Sequence, residues 1–317
     1  MSFGVLEPLD AYMAENAAFD KDDFFPFTLD AFQWDGKQYG LPKDFNPYVL
    51  FYNKKMFAEA GLDTVPTNWQ ELEEYARILT KDLDGDGETD QHGMIVEPVM
   101  EMVMPFVFQN GGYFQNPDGS VGIADQPFIE ALEYYHGLYK KGVATIPTDV
   151  GVGWNGDAFG REKVAMAVSG GWLMPFMKDN YPDVDYGVAF LPAGKERATV
   201  AFTTSYSMAG DSKYKEDSWK LIDYMVGKEG MTKWTSQGLA MPSRRSVAIE
   251  NGFYEHPVFK VFMESADFAR PFQVEYSERG FEEVVVALQA IFYQGKDPKE
   301  AMENIKKRIE KYRLVGR

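Results

Sequence analysis

Three stretches of the chain bring together residue types that can bind or react. Asp82-Leu83-Asp84-Gly85-Asp86-Gly87-Glu88-Thr89-Asp90 offers carboxylates at its first, third and fifth positions, a glycine at the sixth and Asp90 at the ninth. Hard oxygen ligands alternating around a glycine turn match the first half of a calcium loop. The twelfth position is Gly93, where such a loop has a bidentate Glu, and a strand is expected next instead of a helix. The stretch therefore reads either as a structural Ca2+ site built from Asp82, Asp84, Asp86 and Asp90 or as a solvated acidic turn. No other cofactor is called for. Ser169-Gly170-Gly171-Trp172 follows five apolar residues. Two glycines let backbone approach another group closely, and the adjacent Trp can present its face. Sugars suit such a place, because their C–H faces stack on rings while their hydroxyls need fixed partners. A core Trp at a helix start is the equal alternative. Trp154, set in Gly153-Trp154-Asn155-Gly156-Asp157, has little apolar company and is open to the same two readings.

Other chemistry finds little support. Gly151-Val152-Gly153-Trp154-Asn155-Gly156 spells GxGxxG. Pro147-Thr148-Asp149 interrupts any strand before it, however, and Trp154 stands where backbone must approach a pyrophosphate. His92, His136 and His256 are the only histidines and form no HxxxH or HExxH pair, so a zinc hydrolase lacks ligands. The chain has no Cys, which removes disulfides, thiolate catalysis and Cys-bound metals. There is no GxSxG elbow. The 49 Asp and Glu residues leave glycoside hydrolysis open, since it needs only two carboxylates at a defined separation. A net charge of −17 opposes nucleic acid and anionic membrane surfaces as partners. No long apolar run exists for direct membrane insertion. Met1-Ser2-Phe3-Gly4 has neither the basic nor the apolar region of a signal peptide.

The elements that must position these residues follow from periodicity. With 317 residues, 45% hydrophobic and 26% charged, the chain is globular and long enough for about two domains. Gly36–Pro42 reads as a turn followed by a short strand, Pro47–Asn53, Met94–Val96, Val164–Val168 and Tyr186–Pro192 read as further short strands, and Thr203–Ala209 as extended. Longer helical stretches alternate with them. Lys54–Ala60 stops at Gly61, and Pro127–Lys141 stops at Gly142. Trp69, Leu72, Tyr75, Ala76 and Leu79 share a helical face behind a capping box with Thr67 as N-cap and Gln70 reaching back. Asp297-Pro298-Lys299-Glu300 opens the last helix with an N-cap and Pro at N1. Trp34, Trp69, Trp219 and Trp234 read as structural. The alternation predicts an α/β fold with mainly parallel strands. No flexible linker is evident, so two lobes would be joined by ordered strands.

Gly40-Leu41-Pro42-Lys43-Asp44-Phe45-Asn46, then Val49-Leu50-Phe51-Tyr52-Asn53-Lys54-Lys55-Met56-Phe57-Ala58-Glu59-Ala60-Gly61-Leu62, resembles the signature stretch of family 1 extracellular solute-binding proteins of ABC sugar importers. Thr67–Leu72, the acidic loop ending in His92-Gly93, Lys163–Trp172 and Met241-Pro242-Ser243-Arg244-Arg245 fit the same pattern in order. The resemblance implies a periplasmic-binding-protein-like fold of two lobes joined by crossing strands, with a ligand cleft between them that closes about a hinge. By position it implies an N-terminal lobe from 1–43 and 207–250 and a C-terminal lobe from 44–206 and 251–317. It further implies ligand contacts from Asp44, Phe45, Asn46, Trp154, Gly171, Trp172, Ser205, Tyr206 and Arg244, with Thr204 near the second crossing. The implied function is reversible capture of a sugar or oligosaccharide, passed to the transmembrane subunits of an ABC permease outside the cytoplasm. Relatives carry a signal peptide and further elements before the residues that match Gly4–Leu9, so an N-terminally incomplete lobe is expected. A glycoside-active enzyme, and a non-transport interaction protein built on the same fold, are the alternatives.

Overall fold

The computed structural model describes residues 4–238, 240–272 and 278–315, with side chains at 278–279 and 312–315 outside the description. Its strands are β1 Gln33–Trp34, β2 Lys37–Gln38, β3 Gly40–Pro47, β4 Val49–Asn53, β5 His92–Ile95, β6 Ala144–Thr145, β7 Val164–Ser169, β8 Tyr186–Ala189, β9 Thr199–Ser207 and β10 Ala269–Pro271. Helices alternate with them, as the sequence pattern requires of an α/β chain.

The chain divides into two compact units. The first comprises Met1–Pro47, Gly170–Pro175 and Ala201–Pro271, and the second Tyr48–Ser169, Phe176–Val200 and Phe272–Arg317. The changes of unit thus fall at 47/48, 169/170, 175/176, 200/201 and 271/272, where the resemblance implied changes of lobe at 43/44, 206/207 and 250/251. The helix Pro257–Ser265 goes with the first unit, and its Phe262 and Met263 are fully buried.

In the first unit, β3, β9 and β10 form a sheet in the order β10-β9-β3. β3 runs antiparallel to β9 from Gly40 opposite Ser207 to Pro47 opposite Ala201, with a register shift between Pro42 and Asp44 that sets Lys43 out of step. Leu9, Phe24, Leu29, Leu41, Met208, Ile222, Val226, Met231 and Val247 pack into its core. Tyr12, Phe19 and Trp219 close that core from the side, with Trp219 5.7 Å from the Tyr12 ring and 5.8 Å from the Phe19 ring. The β1–β2 hairpin turns through Asp35 and Gly36, both at positive φ, as a two-residue hairpin demands. Trp34 sits on it 54% exposed and is not a core residue.

The second unit is built on a five-stranded sheet in the order β6-β5-β7-β4-β8. β6, β5 and β7 are mutually parallel, but β4 is antiparallel to both β7 and β8. The expectation of mainly parallel strands therefore holds for only one side of the sheet. β4 enters directly from β3 through Tyr48 instead of through a helical crossover, and a direct entry imposes no parallel direction. β7 is the central strand, and all six of its residues are buried, as a strand covered on both faces must be.

Helix ends follow local chemistry closely. Gly61 and Gly142 adopt φ +69° and +71°, the left-handed stops expected of them. Asp297 Oδ1 accepts the N–H of Glu300 at 2.8 Å, capping the helix Pro298–Val315. The box at the start of the helix Trp69–Leu79 is shifted by one residue. Asn68 is the N-cap and accepts Glu71 N–H at 2.9 Å, while Glu71 reaches back to the N–H and hydroxyl of Thr67, both at 2.8 Å. A carboxylate is the stronger acceptor for those donors, so Glu71 takes the role assigned to Gln70. Three helices, Pro26–Asp30, Leu173–Asn180 and Arg245–Glu250, are not among those read from the sequence. Among the described residues, no helix is long and apolar enough to cross a membrane.

Candidate functional site

On β3, alternation sends Phe45 one way and Asp44 and Asn46 the other. Phe45 is fully buried, with ring contacts to Phe25 at 5.3 Å and Phe27 at 5.4 Å, and belongs to the core. Asp44, only 6% exposed, is held entirely by its own unit. Thr204 Oγ1 donates to Oδ1 at 3.0 Å, Trp234 Nε1 donates to Oδ2 at 2.7 Å, and Lys43 Nζ lies 3.3 Å from Oδ2. Lys43 also sits 3.6 Å over the Trp234 ring. The Asp44 carboxylate is thus the centre of a structural network, and the Trp234 indole is its donor instead of plain core.

Asn46 differs. Its half-buried side chain keeps Oδ1 out of water with no hydrogen-bond partner among the described residues. Its cross-strand neighbour is Phe202, and the Trp172 ring meets Phe202 edge-on at 5.6 Å and 70°. Trp172 lies flat against its own backbone. A Cβ on Gly170 would come within 2.3 Å of the indole, so only glycine allows the ring that position. Gly171 is buried, and its carbonyl accepts Met174 N–H at 3.1 Å as the helix Leu173–Asn180 starts. Asn46, Phe202 and Trp172 therefore form a half-buried aromatic patch with an unused acceptor, the combination that takes a sugar ring.

The remaining candidates of the first unit serve the fold. Ser205 packs under Gly40, where an added Cβ would lie 2.5 Å from its Oγ. Tyr206 packs on the core cluster, and its phenol is pushed up by burial and by the Asp44 charge. Arg244 is 5% exposed and is engaged on all sides. Nε donates to Val226 O at 2.7 Å, and Nη1 donates to Asp20 O at 3.0 Å and to Asp23 Oδ2 at 3.1 Å. The guanidinium also stacks 4.0 Å over the Phe24 ring. Arg244 is corrected from ligand contact to a tie between distant segments.

In the second unit, Trp154 repeats the arrangement of Trp172. Its ring is half-buried, lies over Gly156 so closely that a Cβ there would come within 2.3 Å, and meets Phe176 edge-on at 4.7 Å. Beside it, Glu97 leaves the carboxyl end of β5, where α/β sheets place their ligands. Glu97 Oε1 accepts the N–H of Asn155 at 2.8 Å, and Asn155 Nδ2 in turn donates to Val168 O at 2.7 Å. Burial raises the Glu97 carboxyl above the usual range, the Asn155 bond opposes this, and Glu101 adds to it. Tyr48 is buried nearby and its phenol is held up by burial and by Glu101 and Glu97. Ser169 Oγ, at the end of β7, is buried without a partner among the described residues. The sequence reading did not single out Glu97, Tyr48 or Asn155. The available signal was position, an acidic residue directly after a strand with parallel neighbours.

In the acidic loop, Asp82, Asp84 and Asp86 place one carboxylate oxygen each within 4.8 Å of the others, all exposed. Such a group can hold a hard divalent cation. Asp90 is not part of it, because Oδ2 accepts Leu83 N–H at 2.7 Å and fastens the loop. Hydrogen bonds from the Gly87 and Gly85 N–H groups hold the Asp82 carboxyl below its usual range.

Comparison with known proteins places these features. The family model described as bacterial extracellular solute-binding protein matches residues 2–232. A binding protein of Brucella abortus is 31% identical over 255 residues, which is 77% of this chain and 59% of that protein. The galactooligosaccharide-binding protein of Bacillus subtilis is 24% identical over 286 residues, 85% of this chain and 64% of that one. The chain thus spans about 59% of the length of the first of these relatives. Among solved structures, an ABC substrate-binding protein of Listeria monocytogenes in complex with cycloalternan superposes with a TM-score of 0.87 at 23% identity, covering 98% of this chain and 81% of that one. By sequence match over most of its length, and by a fold that agrees, the chain belongs to the bacterial extracellular solute-binding protein family.

Proposed function

We propose that this chain reversibly binds a sugar or oligosaccharide and delivers it unaltered to the permease of an ABC importer outside the cytoplasm. The observation that carries the reading is the pair of tryptophans, Trp154 and Trp172, each laid over a glycine two residues away and each half-buried. Flat rings with fixed acceptors beside them, Glu97 for one and Asn46 for the other, suit the C–H faces and hydroxyls of a sugar. The oligosaccharide ligands of the Bacillus subtilis and Listeria monocytogenes relatives support the same class. The family's description as extracellular supports the location, and the Listeria monocytogenes protein's description as an ABC substrate-binding protein supports the handover to a permease.

The test is thermal unfolding against a panel of mono- and oligosaccharides, since a ligand that binds only the folded chain raises its midpoint. A rise with one neutral sugar is expected, and indifference to every member of the panel overturns the reading. Running the scan with and without Ca2+ asks whether Asp82, Asp84 and Asp86 hold a cation. The raised Glu97 near Glu101 is the one feature favouring glycoside hydrolysis instead. Recovery of the oligosaccharide intact after long incubation decides against that alternative, and its cleavage decides for it.

A further inference from the structure

The first unit holds a second concavity, built from none of the ligand residues named above. The helices Lys228–Thr235 and Arg245–Glu250 end at it, and the helix Pro257–Ser265 begins at it, around a cavity of about 320 Å3. That is the lower end of the range for small-molecule sites, roughly 300–1,000 Å3, and suits one ring instead of a chain of them.

The cavity has an aromatic side. The Phe259 ring lies 5.2 Å from Phe253 and 4.4 Å from the His256 imidazole, tilted 31° to each. It also has neutral donors and acceptors in fixed places. His256 Nδ1 accepts the N–H groups of Val258 and Phe259, both at 3.3 Å, so the neutral imidazole carries its proton on Nε2, which is a donor. Asn251 Nδ2 donates to Thr232 Oγ1 at 3.2 Å and to Val247 O at 2.8 Å. Those bonds orient the amide and leave Oδ1 as an acceptor. Gln237, exposed on the rim, offers both kinds of group. No Asp, Glu, Lys or Arg is among the described lining residues.

Ring faces with neutral hydrogen-bonding groups, and the Glu255 carboxylate 3.5 Å from where a Cβ on the lining residue Gly252 would stand, select a neutral, hydroxylated ring over an anion. We infer that this corner of the first unit is a second carbohydrate site, taking a single neutral pyranose. It stands independently of the proposed transport role, because none of its residues belongs to either tryptophan patch.

The experiment is a titration of the isotopically labelled full chain with D-glucose and D-galactose, followed through backbone amide shifts. Saturable shifts in 232–238 and 251–259 are expected, with affinity in the millimolar range of a single-ring ligand. Phe259→Leu keeps the apolar volume and removes the ring, and should weaken this binding about tenfold. His256→Asn removes the second ring while keeping a side chain that can cap the helix, and should weaken it in the same direction even where Phe259→Leu proves unstable. Trp172→Ala should leave these shifts unchanged. Shifts that are absent or fail to saturate overturn the inference, as does binding unaffected by His256→Asn. Loss of the site with Trp172→Ala would also overturn it, because the corner would then not be a separate site.

Discussion

Asp44 in the first unit and Glu97 in the second are both carboxylates withdrawn from water, yet their surroundings are opposite. Asp44 receives a hydroxyl, an indole N–H and an ammonium group. Glu97 receives the Asn155 amide, and burial drives its proton affinity up. A carboxylate satisfied from several directions by its own fold has little left to offer a ligand, and removing it strands several buried donors. One held by a single backbone amide keeps acceptor capacity for an incoming hydroxyl, and its desolvation cost is already met in the empty protein. Burial alone therefore does not mark a binding residue. What separates the two is how many partners the fold supplies.

That contrast can be broken by experiment. The largest effect belongs to Asp44→Ala, which should lower stability by about 3–5 kcal/mol in urea unfolding, on the scale of a broken buried ion pair. Near-normal stability would mean that Trp234 and Thr204 find other acceptors. Trp172→Ala should weaken binding of the sugar returned by the thermal panel by roughly 1–3 kcal/mol with little loss of stability. Gly170→Ala should act in the same direction, since its methyl group must displace the ring. A large stability loss with unchanged affinity would make Trp172 a core residue. Glu97→Gln should cost about 1 kcal/mol of affinity in titration calorimetry and leave stability at neutral pH unchanged or higher.

The smallest effect is on pH dependence. The folded Glu97 carboxyl titrates above its reference value of 4.5, so the folded state binds this proton more tightly than the unfolded state does. Its contribution to stability is greatest below that value and is lost as pH rises through the folded value. The stability of Glu97→Gln relative to the parent chain should therefore grow with pH across that window and then level off. A difference that is flat with pH would place Glu97 in water and remove the contrast with Asp44.

Much of this fold was legible because its signals are local. Gly61 and Gly142 stop helices through their own backbone freedom, and Asp297 with Pro298 starts one within a single turn. Trp154 and Trp172 stand out as rings set beside glycines, whereas Asp44 and Asn46 entered only through the resemblance of the stretch Gly40–Asn46. The misreadings are of another kind. Arg244 sits in a stretch that resembles a cleft edge, but the groups that hold it, Asp23 and Phe24, lie more than two hundred residues away in sequence. Trp34 reads as structural by residue type, yet it stands 54% exposed on a two-residue hairpin. Glu97 is one acid among 49, distinguished only by a sheet position that local sequence does not reveal. Glu71 displaced Gln70 in the capping box because charge decides between adjacent acceptors that spacing cannot separate.

The chain returns to its first unit twice after leaving it, at Gly170 and again at Ala201. During synthesis, β3 emerges with Gly40–Pro47 but finds its partner only when Ala201–Ser207 follow. For that whole interval its edge and the apolar residues of Phe24, Leu29 and Leu41 wait without the helices that bury them. Pairing across so long a loop is slow, and the waiting intermediate is prone to association. The first unit should therefore not assemble before Ala201–Ser207 have been made, and refolding yield should fall with protein concentration well before final stability does.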